Sequence, residues 1–318
     1  MAKRFKKQPA AVREQEEKPA KTEFKSYQSF QLQKRIKPQG LPSLPGSFRL
    51  FIQALGVLKK HAKLFLGMAA VYGLLYLIFV QGLTALNGLD ETKKALEQTL
   101  TGNFAGLAAG AALFAELLGK SSALGATANT YQFLITIIAS LALIWALRQV
   151  YANNSPRIRD GFYFGMYPLV PFLLVLIVVV LQLLPFAIGG TIFNMIVNNG
   201  IAATGLEVAL WGVGFFVLAL VSLYLVTSSV FALYIVSLPD MTPLPALRSA
   251  RQLVRGRRWQ VMRKILFLPL ALLVIAAAMM IPVLMFATAI AGWVFYAYMV
   301  LALAVSHSYM YRLYRALI

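Results

Sequence analysis

The sequence has no cysteine, only two histidines and only 11 acidic residues among 318. Without thiols there can be no disulfide, thiolate metal site or cysteine nucleophile. The two histidines, His61 and His307, match no metal-ligand spacing. No GxxxxGK[ST] phosphate loop and no GxSxG turn occurs, so nothing announces ATP hydrolysis or serine-based acyl transfer. Nor does a carboxylate or lysine sit deep in an apolar run, where it would mark a proton or ion path.

Apolar residues, by contrast, are abundant. They make up 59% of the chain, with a mean hydropathy of +0.71, well above the share in soluble domains. The composition is that of an integral membrane protein. The few acids leave 30 Lys and Arg and a formal charge of +19, a balance that could point to nucleic acid. The cations, however, lie in an N-terminal tail and in short segments between apolar runs, with no recognition motif, which is the pattern that orients membrane proteins. Nucleic acid is therefore not an expected partner, and no cofactor or metal is expected.

Residues 1–46 are polar and rich in Lys, Gln, Glu and Pro, and are expected to form a disordered basic tail ahead of a membrane domain over 47–318. Six spans are expected in that domain: 64–86, 131–147, 167–188, 208–236, and two within the 41 apolar residues of 265–305, joined by a turn near 287–292. A short Ala/Gly-rich run, 104–118, is too brief to cross a bilayer and reads as re-entrant or interfacial. A polar return loop is expected over 191–205. The fold class is all-α and polytopic.

Each pair of spans is preceded by a basic amphipathic segment, which we term an elbow. The first, 47–63, places Phe48, Phe51, Ile52, Leu55, Leu58 and Ala62 on one helical face with Arg49, Gln53 and Lys60 opposite. The second is announced by Asn153, Asn154, Ser155 and Pro156 and carries Arg157 and Arg159. The third begins at Thr242 and Pro243, where Thr can cap free N–H groups and Pro forfeits no helical hydrogen bond. On it Leu247, Ala250, Leu253, Val254 and Val261 share one side and Arg248, Arg251 and Arg255 another, with Gly256 set to break the helix.

Cations on the polar face of an interfacial helix each contribute about 1 kcal/mol beside anionic headgroups. Arg248, Arg251, Arg255, Arg257, Arg258, Lys59 and Lys60 are accordingly the candidate headgroup-binding residues, and Arg263 and Lys264 extend the same basic run. Trp259 is expected as an interfacial anchor. Expected partners are the bilayer and its anionic phospholipids, or a protein at the same face.

With both termini inside, every Lys and Arg except Lys93, Lys94 and Lys120 lies on the cytoplasmic side. Asp90, Glu91, Glu97, Glu116 and Glu207 lie outside. This bias sets the expected orientation in a bacterial inner membrane. Trp293 and Tyr296 would then belong to the outer aromatic belt, and Tyr309, Tyr311 and Tyr314 to the inner one.

Elbow followed by hairpin, three times over, suggests an internal repeat, although QALGVLKKHAK (53–63) and RQLVRGRRWQV (251–261) align only loosely. The pattern ALRSARQLVRGRRWQV running into an apolar span resembles the membrane-domain family of glycerophosphoryl diester phosphodiesterases and related six-span bacterial membrane proteins, over residues 47–318. The resemblance implies a fold and topology. It places phosphodiesterase chemistry in a separate soluble domain, for which the first 46 residues are too short and too polar.

The reading is thus a non-enzymatic six-span protein whose Arg-rich elbows contact anionic lipid or a partner. One alternative is a passive permease or lipid-handling transporter lined by Gln81, Gln132, Gln182 and the cluster Thr227, Ser228 and Ser229. These side chains equally serve as interhelical hydrogen-bonding groups. Another is an enzyme using His61, His307, Asp160 and Asp240, all expected near the cytoplasmic face. Pro171, Pro185, Pro269 and Pro282 can kink their spans.

Overall fold

A computed structural model describes residues 44–81, 126–201 and 204–318. The tail up to residue 43, the run 104–118 and Lys93, Lys94 and Lys120 fall outside these residues. The described chain forms ten α-helices. They are α1 (Ser47–Lys60), α2 (Ala62–Tyr76, prolonged by a π turn over Leu77–Gln81), α3 (Ala126–Tyr151), α4 (Ile158–Gly165) and α5 (Leu169–Asn198). There follow α6 (Gly205–Ser229), α7 (Ala232–Ile235), α8 (Pro243–Val254), α9 (Arg258–Phe286) and α10 (Thr288–Leu317). Among the described residues six stretches are long and apolar enough to cross a bilayer: 62–80, 128–151, 169–198, 205–235, 258–286 and 290–317. The protein is an all-α, multi-pass membrane protein.

The breaks between helices have local causes. Asn153 (φ 60°), Gly200 (φ 63°), Asp240 (φ 58°) and Gly256 (φ 83°) adopt the left-handed conformation that Gly and Asn tolerate best. At the start of α8 Thr242 is extended and Pro243 opens the first turn, though the Thr side chain makes no capping bond. At α1 Gly46 takes the cap position.

Several boundaries depart from the pattern in the sequence. The third span runs 169–198 rather than 167–188, and the polar return loop shrinks to a few residues, because Thr191, Asn194 and Asn198 are helical. Thr191 Oγ1 donates to Ala187 O, 2.9 Å away, so its hydroxyl needs no water. The second span is likewise longer, Ala126–Tyr151. The fourth is interrupted at Val230 and Phe231 before resuming as α7. The first elbow ends at Lys60, where His61 breaks the helix ahead of α2.

The three elbows α1, α4 and α8 share one packing rule. Each lies against the closing span of the preceding hairpin: α4 against α3, α8 against α6, and α1 against α10 at the far end of the chain. The crossing of α4 over α3 is close because Gly165 has no side chain; a Cβ there would stand 3.0 Å from Ala142 Cα. The first elbow is fixed to α10 by Ser308 Oγ donating to Ala54 O at 3.1 Å and by Arg312, whose Nη2 donates to Gln53 Oε1 at 3.2 Å.

The core concentrates at the elbow end and draws on α1, α3, α7, α8 and α10, with Leu50, Leu147, Phe231, Val254 and Leu313 fully buried. The burial of α1 is rotated from the expected face. Leu50, Phe51 and Ala54 are buried, whereas Phe48, Ile52 and Leu55 are exposed. An interfacial helix has two apolar neighbours, protein and lipid, and periodicity alone does not tell them apart. Tyr309, Tyr311 and Tyr314 are also core residues rather than an aromatic belt. Tyr309 OH donates to Lys264 O at 2.9 Å, Tyr311 stacks on Tyr151 and Tyr314 on Tyr234. Exposed aromatics at the elbow end include Phe48, Tyr163, Phe164, Tyr167 and Trp259, and at the other end Phe79, Tyr131, Phe286 and Trp293.

A basic hollow at the central elbow

The site at the central elbow follows from how α8 is seated. Ala246, Ala250 and Val254 are fully buried against α5, α6 and α7. With that face turned inward, Arg248, Arg251 and Arg255 necessarily face outward, and all three are exposed. The chain then reverses through Arg255 and Gly256, whose φ of 83° is strained for any residue with a side chain. Arg257 caps α9, and Arg258 opens it.

Arg258 is half-buried. Its guanidinium carbon lies 4.8 Å from the centre of the Tyr224 ring, and Nη1 donates to the Tyr224 hydroxyl. This cation–π contact orients the planar guanidinium, so less freedom is lost when it meets a further oxygen acceptor. Tyr224, Thr227, Gly256, Arg258, Trp259 and Met262 line a hollow of about 350 Å³. Trp259, 64% exposed, stands at its edge as an amphipathic ring of the kind that settles at headgroup level.

The candidate residues are therefore not one cluster. Arg255, Arg257 and Arg258 flank the reversal at Gly256 and Arg248 and Arg251 lie on the exposed side of α8 before it, whereas Lys59 and Lys60 lie exposed at the end of α1, an elbow packed on different spans. Lys264 leaves the patch altogether: it is buried, and Nζ donates to Pro45 O at 2.5 Å. Sequence reasoning missed Tyr224 and Met262 and assigned Thr227 to a different candidate path, since nothing local links the end of the fourth span to the fifth.

The polar residues within the spans are mostly bonded inside the helical bundle. Ser228 Oγ donates to Leu225 O at 2.8 Å and Thr227 Oγ1 to Leu223 O at 2.6 Å. Ser222 Oγ accepts from Phe186 N at 3.0 Å, beside the interior Pro185. Neighbouring hydroxyls of this kind stabilise proline-interrupted membrane helices. Gln182 Oε1 is buried with no hydrogen-bond partner. His307 links three helices, Nδ1 paired with Tyr234 OH at 3.1 Å and Nε2 with Ser140 Oγ at 2.9 Å. Asp160 Oδ2 accepts from Arg157 N at 3.1 Å at the start of α4, and Asp240 is exposed. Among the described residues no three His, Cys, Asp or Glu side chains group to hold a metal. No protein-family model, curated protein or solved structure matches the chain.

Proposed function

We propose that this is a non-enzymatic, multi-pass protein of a bacterial inner membrane, with both termini and all three elbows at the cytoplasmic face, and that the central elbow holds the headgroup of an anionic phospholipid. The family similarity to the membrane domains of glycerophosphoryl diester phosphodiesterases belongs to the same reading. Charge supports the orientation. The Lys and Arg of the described chain lie in the elbows or at the span ends beside them, while Glu207 opens α6 at the opposite end.

The observation that carries the lipid reading is the hollow itself. Arg258 is preset on Tyr224 in a hollow that the exposed Trp259 and Gly256 also line, and the exposed Arg251 and Arg255 lie just before Gly256 in the chain, a cationic setting suited to a phosphate. Native mass spectrometry of the gently solubilised protein tests it, beside a variant with Arg251, Arg255, Arg257 and Arg258 changed to Gln. Retained anionic lipid in the wild type and its loss from the variant is the expected result. Equal lipid on both would overturn the site and leave the arginines as orientation signals.

A further inference from the structure

A second concavity lies at the first elbow and shares no residue with the central hollow. The chain bends at His61, so that the last turns of α1 and the first turns of α2 diverge over the flank of α10. The wedge between them is a groove of about 530 Å³ lined by Leu55, Gly56, Lys59, Leu66, Leu301 and Ala304, among others. That volume falls within the range of about 300–1,000 Å³ usual for small-molecule sites. Its lining is apolar apart from Lys59.

Leu55, Leu66 and Leu301 are all more than a third exposed, and a Cβ at Gly56 would meet nothing within 4 Å. The groove is thus open space, and in a protein that crosses the bilayer it opens onto hydrocarbon chains. A void there would forfeit dispersion contacts along its whole lining, which a lipid tail restores. Charge selects the headgroup. Lys59 stands in the lining, Lys60 and Lys63 follow within one turn, and α1 and α2 contain no carboxylate. A lysine with an apolar stem along the groove and its ammonium at the interface is the usual arrangement at this depth.

We propose that this groove seats one acyl chain of an anionic phospholipid whose headgroup rests on Lys59. The test uses the full chain in nanodiscs of phosphatidylglycerol or of phosphatidylcholine, each carrying a diazirine on the acyl chain, with the photolabel mapped by peptide mass spectrometry. Label should concentrate on residues 52–66 and 301–305 in phosphatidylglycerol and exceed that on the exposed α6 face at Leu210 and Val213.

Lys59→Gln should lower the groove label about fivefold, the equivalent of about 1 kcal/mol per lysine near an anionic headgroup. Gly56→Leu puts a side chain where a Cβ meets nothing and should reduce groove label to the α6 level, with an unfolding temperature no lower than that of the wild type as the folding control. Label spread evenly over groove and α6, indifferent to headgroup and to Gly56→Leu, would overturn the site as ordinary surrounding lipid. Because the chain has no cysteine, Gly56→Cys supplies a further check. A disulfide-linked dimer in the discs would give the groove to a second copy and overturn the lipid assignment.

Discussion

The second and fourth spans are nearly equal in apolarity and opposite in packing. Their best 18-residue windows have mean hydropathies of 2.0 and 2.3, yet 61% of the α3 window is buried within the protein and 6% of the α6 window. Helix α3 is enclosed by α2 and α10 and crossed by α4, whereas α6 pairs chiefly with α5 and touches α8 and α9. In water such a difference would cost α6 dearly. In a bilayer an exposed leucine costs nothing, and what separates the two spans is close packing and hydrogen bonding. Sensitivity to substitution should therefore follow burial and not hydropathy.

The largest contrast is expected between Leu147→Ala on α3 and Leu210→Ala on α6. Leu147 is fully buried and Leu210 is 68% exposed. Unfolding in one detergent should show a loss of about 2–5 kcal/mol for the first and under about 0.5 kcal/mol for the second. Equal losses would abolish the distinction between the spans. A smaller contrast is expected between two glycines. At Gly165 a methyl group would press on the Ala142 backbone, 3.0 Å from Cα and 3.1 Å from N, whereas at Gly214 it would meet nothing. Gly165→Ala should cost about 1–3 kcal/mol, and Gly214→Ala should be neutral or stabilising by up to about 1 kcal/mol. A tolerated Gly165→Ala would mean that α4 is not held closely on α3.

The smallest effect sharpens the picture of the α5–α6 pair. Ser222→Ala removes the acceptor of the Phe186 N–H and should cost about 0.6 kcal/mol, the average for hydrogen bonds between membrane helices. The direct readout is faster hydrogen exchange at the Phe186 amide with global stability nearly unchanged. An amide exchanging at its wild-type rate would show that this bond does not hold the pair.

Much of the fold was legible because its signals are local. Six apolar runs, the Pro243 start, the reversal at Gly256 and the turn at Ala287 each depend on a few neighbouring residues. The unread features depend on distant ones. Nothing around Val230 breaks a helix, so the interruption there reflects how α7 is buried among other elements. Lys264 belongs by sequence to a basic run and is withdrawn from it by the carbonyl of Pro45, 219 positions away. Tyr309, Tyr311 and Tyr314 have the composition of an aromatic belt and become core because Phe51, Tyr151 and Tyr234 respectively come to meet them. Of the central site, the arginines were visible and the hollow was not, since Tyr224 and Thr227 reach it from another span.

The closure of α1 on α10 also sets an order of events during synthesis. The bonds that seat the first elbow join residues 219 to 259 positions apart. At about 5–20 residues per second, α1 leaves the ribosome about 10–50 s before the partners that will cover Leu50, Phe51 and Ala54. For that interval the elbow is a lone amphipathic helix without its protein partners, and in the proposed interfacial placement lipid alone would hold it. The earliest-made element is thus among the last to be seated, and arrival of the final helix is what fixes the first elbow to the rest of the protein.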